Sequence, residues 1–245
     1  MKTRDFLKSN WKILKTVTTD QRKGIPHPPI EKPYPENSKL IDLPEPETLK
    51  FGNVPLKNII EKRRSRRKFI KTPLNLEELS YLLWLTQGVK EIIRNGIATF
   101  RNVPSAGARH PFETYLVVFN IENLNKGIYR YIPLKHKLIL LKEGDFSNNV
   151  IEATLNQKFV GESAVVFVWT AIPYRTEWRY AQESYKAIAL DAGHVCQNLY
   201  LAAESINSGT CAIGAYDQEL MDKLIGVDGN EEFVIYLAPV GKINE

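Results

Sequence analysis

The stretch PSAGARHPFETYLVV, Pro104 to Val118, decides how this chain is read. Its second half, continued to Phe119 as FETYLVVF, is dense in β-branched and aromatic residues, the composition of a buried strand. Its first half is a run of small residues between two prolines. There the backbone can come close to a planar ligand, with Arg109 or His110 as a source of positive charge beside it. An ordinary tight loop uses the same residues, so the segment alone leaves both readings open.

Working outward, SAVVFVWT (163–170) has the same buried-strand composition, and Ile128–Ile132 and Lys137–Leu141, joined by PLKH, read as a hairpin. Upstream, a helix is expected from Pro55, with Leu56, Ile59 and Ile60 on one face and a basic cluster at its C-terminal end. A second helix is expected from Asn75, with Glu78 placed for a capping box, through Leu79, Leu82, Leu83 and Trp84 to a stop at Gly88. The longest helical pattern runs from about Arg179 to Asn207, with Ala192, Cys196, Leu199, Ala203 and Ile206 at three- and four-residue spacing. Gly193 inside it marks a kink or a close contact. A short strand TCAIG, a helix capped by Asp217 and ended by Gly226, and a last strand Phe233–Pro239 complete the chain. Strands and helices alternate without a βαβ rhythm, so an α+β fold with a mixed central sheet flanked by helices is expected.

The 245 residues are 43% hydrophobic and 25% charged, which excludes collagen-like, disordered and coiled-coil classes. Half of the fourteen prolines fall between Pro26 and Pro46, so residues 1–54 read as an extended, Pro-rich N-terminal arm and 55–245 as the main domain. Cys196 and Cys211 form no CxxC pair and point to a reducing compartment; with no signal-peptide pattern and no apolar run of membrane-spanning length, a cytoplasmic location is expected. The net charge of +5 is concentrated at Lys62–Lys68 (KRRSRRK), six cations in seven positions, and without them the chain stands at −1. A nucleic-acid binder usually spreads its charge over a face, so this focused cluster argues for a small anionic group instead.

No GxGxxG after a strand, GxxxxGK[ST] or HExxH occurs, the four histidines show no metal-ligand spacing, and Ser163 lacks the second glycine of a nucleophile elbow. Three segments carry chemistry. Arg63, Arg64, Ser65, Arg66 and Arg67 offer rigid guanidinium forks and a hydroxyl that suit a phosphate dianion, although a solvated helix end would look alike. Pro104, Ser105, Ala106, Gly107 and Arg109 form the second. AIGAYD (212–217), a strand end turning into a helix with exposed N–H groups, is the third.

In this order, RRSRRKF (63–69), PSAGARHPFETYLVV (104–118), GIYRY (127–131), GHVCQNLYLAAE (193–204), AIGAYD (212–217) and APVGK (238–242) resemble the nitroreductase family, specifically its branch of SagB-type dehydrogenases. The resemblance spans about residues 55–242. It implies a homodimer with FMN at the subunit interface, Arg63 and Ser65 on the phosphate and ribityl chain, and Arg67 near the pyrimidine edge, where positive charge stabilises the reduced flavin. Ser105, Ala106 and Gly107 match a loop that reaches the flavin, commonly from the partner subunit. Ile213, Gly214 and Ala215 match the backbone near flavin N5. Lys242 is the one C-terminal cation left for the phosphate.

Azoline dehydrogenases of the family carry a Lys-Tyr pair that this chain resembles with Arg179-Tyr180. Arginine stays protonated, so Arg179 would position or stabilise, while Tyr180 could relay a proton; a buried structural tyrosine is the plainer reading. The helix around His194, Gln197 and Asn198 is the expected dimer interface.

The expected function is therefore hydride transfer at flavin N5, oxidising azoline rings on a modified peptide, or alternatively reducing a quinone or nitro-aromatic with NAD(P)H as donor. A flavin-binding scaffold without turnover is a further alternative. The rival from another class is an anionic-partner or nucleic-acid binder acting through residues 62–68, which leaves the motifs after residue 100 without a role.

Overall fold

The computed structural model describes residues 3–244; Met1, Lys2 and Glu245, the outer ends of the two expected regions, lie outside it. The strands are β1 (Leu40–Asp42), β2 (Val89–Ile93), β3 (Ala98–Arg101), β4 (Phe112–Val118), β5 (Gly127–Ile132), β6 (Lys137–Glu143), β7 (Val165–Ala171), β8 (Ser208–Thr210) and β9 (Phe233–Lys242). The helices are α1 (Leu56–Lys62), α2 (Leu76–Gln87), α3 (Ser147–Ala153), α4 (Lys158–Gly161), α5 (Tyr174–Tyr180), α6 (Ser184–Ser205) and α7 (Gln218–Ile225).

Seven strands form one sheet in the order β1-β6-β5-β4-β7-β9-β8, every neighbouring pair antiparallel, and β2 pairs with β3 as a separate hairpin. A parallel bridge from Ser65 to Thr210 gives the β8 edge a mixed orientation. β4 and β7 read as continuous apolar runs because both faces are covered. Leu116, Val118, Val165, Phe167 and Trp169 face the core shared with α2 and α6. Alternate residues Tyr115, Val117, Val166 and Val168 face a second core with Val150, Met221 and Ile225. The α+β layout expected from the element pattern is the one observed.

α2 closes with both halves of its capping box: Glu78 N donates to Asn75 Oδ1 at 2.8 Å and Asn75 N to Glu78 Oε2 at 3.1 Å. α7 starts on the Asp217 cap and ends at Gly226 (φ 87°).

Four expectations are corrected. In α1 only Ile59 is buried; Leu56 and Ile60 are 61% and 54% exposed, because seven residues present a single buried contact. The long helix starts at Ser184, not near Arg179, since Ala181 turns the chain at φ 46° and leaves α5 as a separate helix. Gly193 marks no close contact within the subunit: a Cβ there would meet nothing within 4 Å. The TCAIG strand is displaced to Ser208–Thr210, and of the later residues Ile213 keeps one bridge, to Leu237.

The N-terminal arm is stitched to the rest of the chain. β1 extends the sheet beyond β6, Trp178 Nε1 donates to Ile25 O at 2.8 Å, Arg101 Nη2 to Ile30 O at 3.1 Å, and Lys32 N to Glu113 Oε1 at 2.9 Å.

Candidate functional site

α1 ends at Lys62, and residues 63–67 run on in extended form rather than as a helix end. Arg66 N donates to Thr210 O at 2.9 Å, which lays the segment along β8. The residue beneath is Gly209, where a Cβ would sit 2.6 Å from Arg66 Cβ, so only glycine lets the two backbones come together.

Tyr200 of α6 then joins two of the three segments. Its hydroxyl lies 2.9 Å from Ser65 Oγ and accepts from Ala212 N at 2.8 Å, and the Arg63 guanidinium stacks 5.2 Å from its ring centroid. Ser65 and the start of AIGAYD are thus held on one phenol. Arg66 faces Glu204 at 3.7 Å, whereas Arg64 and Arg67 are exposed and without an ion pair among the described residues. Gly214 and Ala215 are exposed, and a Cβ on Gly214 would find only Tyr236 at 4.0 Å.

The second segment is fixed at the other end of α6. Buried Asp191 accepts from Ser105 Oγ at 2.7 Å and from Ala106 N at 3.0 Å, and Ser105 Oγ in turn accepts from His110 N at 2.9 Å. Burial raises the Asp191 carboxyl above its ordinary value. Gly107 has φ 61°, and a side chain there would run into Tyr180 Oη and lie 3.2 Å from Arg179 Cδ, so the loop and the Arg179-Tyr180 pair are brought together. Tyr180 also meets Trp11 of the arm edge-on at 5.1 Å, and Arg179 stacks on Tyr180 at 5.4 Å.

Three of the expected site residues are engaged within the subunit. Arg109 is buried; its Nε donates to Gly107 O at 3.3 Å, its Nη2 to Ile97 O at 2.9 Å, and it stacks on Trp178. Through these contacts it supports the loop. His110 is neutral, because burial and the arginines around it hold its pKa down at about 2; its Nε2 carries the proton that Thr99 O accepts at 3.1 Å. Lys242 Nζ is bonded to Glu78 and donates to Ile206 O at 2.9 Å, so its charge is paired beside the α2 N-terminus.

Asp191 and Tyr200, the residues that organise the two half-sites, were not singled out in the sequence. Both lie on the long helical pattern, at positions whose partners come from distant segments. They stand nine positions apart on α6, about 13 Å along its axis. Within one chain the 105–107 loop and the Ser65–Ala212 group therefore occupy different stretches of one helix. The missed hairpin β2–β3 did carry a signal: Asn95-Gly96 at its tip, with Asn95 at φ 53° and Gly96 at φ 89°.

Arg63, Ser65 and Ala212 thus meet around Tyr200 next to the exposed Gly214, with Arg66 paired to Glu204 behind them. The chain belongs to the nitroreductase family, whose profile matches residues 60–242 and whose members are typically flavin-dependent oxidoreductases. MJ1384 of Methanocaldococcus jannaschii, a nitroreductase by name, is 34% identical over 203 residues, covering 82% of this chain and 96% of its own length. The trifolitoxin-processing protein TfxB of Rhizobium leguminosarum bv. trifolii is 27% identical over 131 residues, 51% of this chain and 35% of TfxB, so the chain spans about a third of that relative. Among solved structures, a Ralstonia eutropha JMP134 protein described as a nitroreductase superposes with a TM-score of 0.69 at 25% identity, covering 90% of this chain and 99% of that one. A chain of the E. coli microcin synthetase McbBCD complex with truncated pro-MccB17 bound superposes at 0.63 with 18% identity, over 96% of this chain and 93% of its own; that likeness is one of fold. No described helix is long and apolar enough to cross a membrane.

Proposed function

We propose that this protein binds FMN and works as a homodimeric oxidoreductase, with Arg63, Ser65 and Arg67 on the phosphate side and the Ile213–Ala215 backbone at the isoalloxazine. The observation that carries this reading is the Tyr200 hydroxyl, which ties Ser65 and Ala212 into one wall. The residues present fit the group: Gly214 opens onto free space, and Thr210 Oγ1 and Arg66 Nε, beside Ser65, are buried without hydrogen-bond partners. Bound FMN supplies a reversible two-electron acceptor. The chain's contribution is to hold the phosphate with permanent cations and to aim backbone N–H groups at the ring edge.

Dimerisation completes the site by bringing one subunit's 105–107 loop to the other's Ser65–Ala212 wall. The surface that supports this is the exposed stripe of α6, Ala189, Leu190, Gly193, His194 and Gln197, where the bare Gly193 admits close helix approach.

The reaction favoured is that of SagB-type dehydrogenases, oxidation of an azoline ring on a modified peptide to the azole, passing two electrons and two protons to FMN. The TfxB likeness supports it, as does Tyr180 beside Gly107, where a phenol can relay the proton that permanently charged Arg179 cannot take. NAD(P)H-dependent reduction of a nitro or quinone acceptor is the second reading, supported by the MJ1384 likeness. A cytoplasmic location suits either chemistry.

The test of cofactor placement is Arg63→Ala with Ser65→Ala. The double variant should stay folded and dimeric yet lose most of its flavin on purification; full flavin occupancy would remove the phosphate assignment.

A further inference from the structure

A pocket of about 460 Å³ lies between the β2–β3 hairpin and the 104–108 loop. Four cations line it: Lys90 on β2, Arg94 at the hairpin tip, Arg101 at the end of β3 and Arg179 on α5; Arg101 is buried and committed to Thr99, Gln87 and Ile30 O, which leaves the other three to face a ligand. Phe100 and Ile93 supply apolar wall, and Ser105 and Gly107 of the loop line it as well.

The charge in this pocket is unbalanced. No Asp or Glu lines it among the described residues, and none of Lys90, Arg94 and Arg179 enters an ion pair there, while other lysines and arginines of the chain do. Of the acids around it, Asp191 is taken up by Ser105 and Ala106, Glu113 by Arg175 and Lys32 N, and Glu31 by Leu134 N. Burial first, and then the charges of Arg179 and Arg94, hold Arg109 below the ordinary arginine value, so three guanidinium groups lie in one region. Grouping like charges in this way costs folding energy unless an anion joins them.

The backbone is also shaped around the pocket. The β2–β3 register slips between Val89 and Glu91, a bulge that sets Lys90 apart from the regular ladder. Arg94, Asn95, Ala108, His110 and Ala181, all non-glycine, hold positive φ, and all five lie on the segments that carry this pocket. Such conformations cost energy and persist where surrounding structure imposes them.

We propose that Lys90, Arg94 and Arg179 form an oxyanion clamp that holds a carboxylate of the reacting substrate, with its reactive planar group stacked toward Gly107. The clamp rests on the flavoenzyme reading and adds a substrate class to it: a small planar molecule or peptide residue bearing an acidic group. A phosphate of a dinucleotide donor offers the same chemistry, so the test separates the two sources.

The experiment uses the full-length protein as purified, its FMN content read by absorbance. Isothermal titration calorimetry with 4-nitrobenzoate and 4-nitrobenzamide compares probes alike in shape and different in charge. The wild type should bind the carboxylate about ten-fold more tightly than the amide, a preference that shrinks with added salt. Lys90→Ala with Arg94→Ala should erase the preference and leave the amide affinity unchanged, while Arg94→Lys should keep most of it. If the double variant leaves NADPH affinity unchanged, the oxyanion is the substrate's; if NADPH affinity falls in parallel, it is the dinucleotide's, and the clamp stands in both cases. Equal binding of the two probes by the wild type, or equal weakening of both in the double variant, would overturn it. Because calorimetry needs no turnover, a flavin-free preparation that still prefers the carboxylate would count against the cofactor reading alone, and a flavin-loaded one without preference against the clamp alone.

Discussion

Tyr200→Phe is the perturbation that bears most directly on how the site is assembled. The substitution removes one oxygen and keeps the ring that Arg63 stacks on. It strips Ala212 N of its acceptor at 2.8 Å and Ser65 Oγ of its partner at 2.9 Å. A part-buried backbone N–H left without a partner costs about 1–3 kcal/mol, so about 2 kcal/mol is expected for the pair. For a chain of this size each kcal/mol moves Tm by about 2–4 °C, giving a drop of roughly 4–8 °C. The assay is thermal unfolding by circular dichroism at fixed scan rate, with flavin content measured on the same preparation. Tyr81→Phe is the control: its hydroxyl meets Ser205 Oγ at 3.0 Å, outside the site, and Ser205 keeps its bond to Ala202 O, so it should cost less and leave flavin content alone. Should Tyr200→Phe match the wild type in both Tm and flavin content, the claim that this phenol organises the wall is refuted.

Three further outcomes follow from the contacts. Gly107→Ala places a side chain at φ 61° and against Tyr180 Oη, at a conformational cost of about 1–2 kcal/mol; flavin retention should fall, and Tyr180→Ala in the same chain should restore the steric part of the loss and not the conformational part, as read from Tm of singles and double. Lys242→Met leaves Glu78 without its cation, so Tm should fall while flavin per folded subunit stays constant, and adding Glu78→Gln should recover stability; a flavin deficit in Lys242→Met would return Lys242 to the phosphate. His110 takes no proton in the folded state until about pH 2, whereas the unfolded imidazole takes one below its ordinary 6.5, so acid favours unfolding across that window. The slope reaches about 1.4 kcal/mol per pH unit once the unfolded histidine is protonated, and His110→Gln should flatten urea-derived stability against pH by that amount below about pH 5.5; an unchanged slope would show that the imidazole is not held neutral.

The parts of the fold that were legible in the sequence are those set by local chemistry. The Asn75–Glu78 capping box and the Asp217 cap state their helices within four residues, and the FETYLVVF and SAVVFVWT runs can hardly be other than buried strands. The start of α6 was not legible, because Arg179–Glu183 continues its composition and only the left-handed Ala181 separates α5 from it. Burial in α1 was not legible for a related reason: the spacing of Leu56, Ile59 and Ile60 defines a face, and which of those residues finds a neighbour depends on the packing of α6.

At the site, residue types were readable and their commitments were not. Arg63 and Ser65 meet at Tyr200, Gly107 meets Tyr180, and Gly214 is exposed. Arg109, His110 and Lys242 carry charge or a proton site that distant partners, Ile97, Thr99 and Glu78, have already claimed. Asp191 and Tyr200 escaped notice because an acid and a phenol inside a helical run look like surface and core until Ser105 and Ser65 arrive from elsewhere in the chain.

The central claim, that this chain is a flavin enzyme of the nitroreductase fold, is tested by the visible absorption spectrum of the purified protein, with the chromophore released by heat and weighed by mass spectrometry. Flavin bands and the mass of FMN are the predicted result; a colourless protein that also fails to take up added FMN would contradict it and bring the basic Lys62–Lys68 cluster forward as a macromolecular contact.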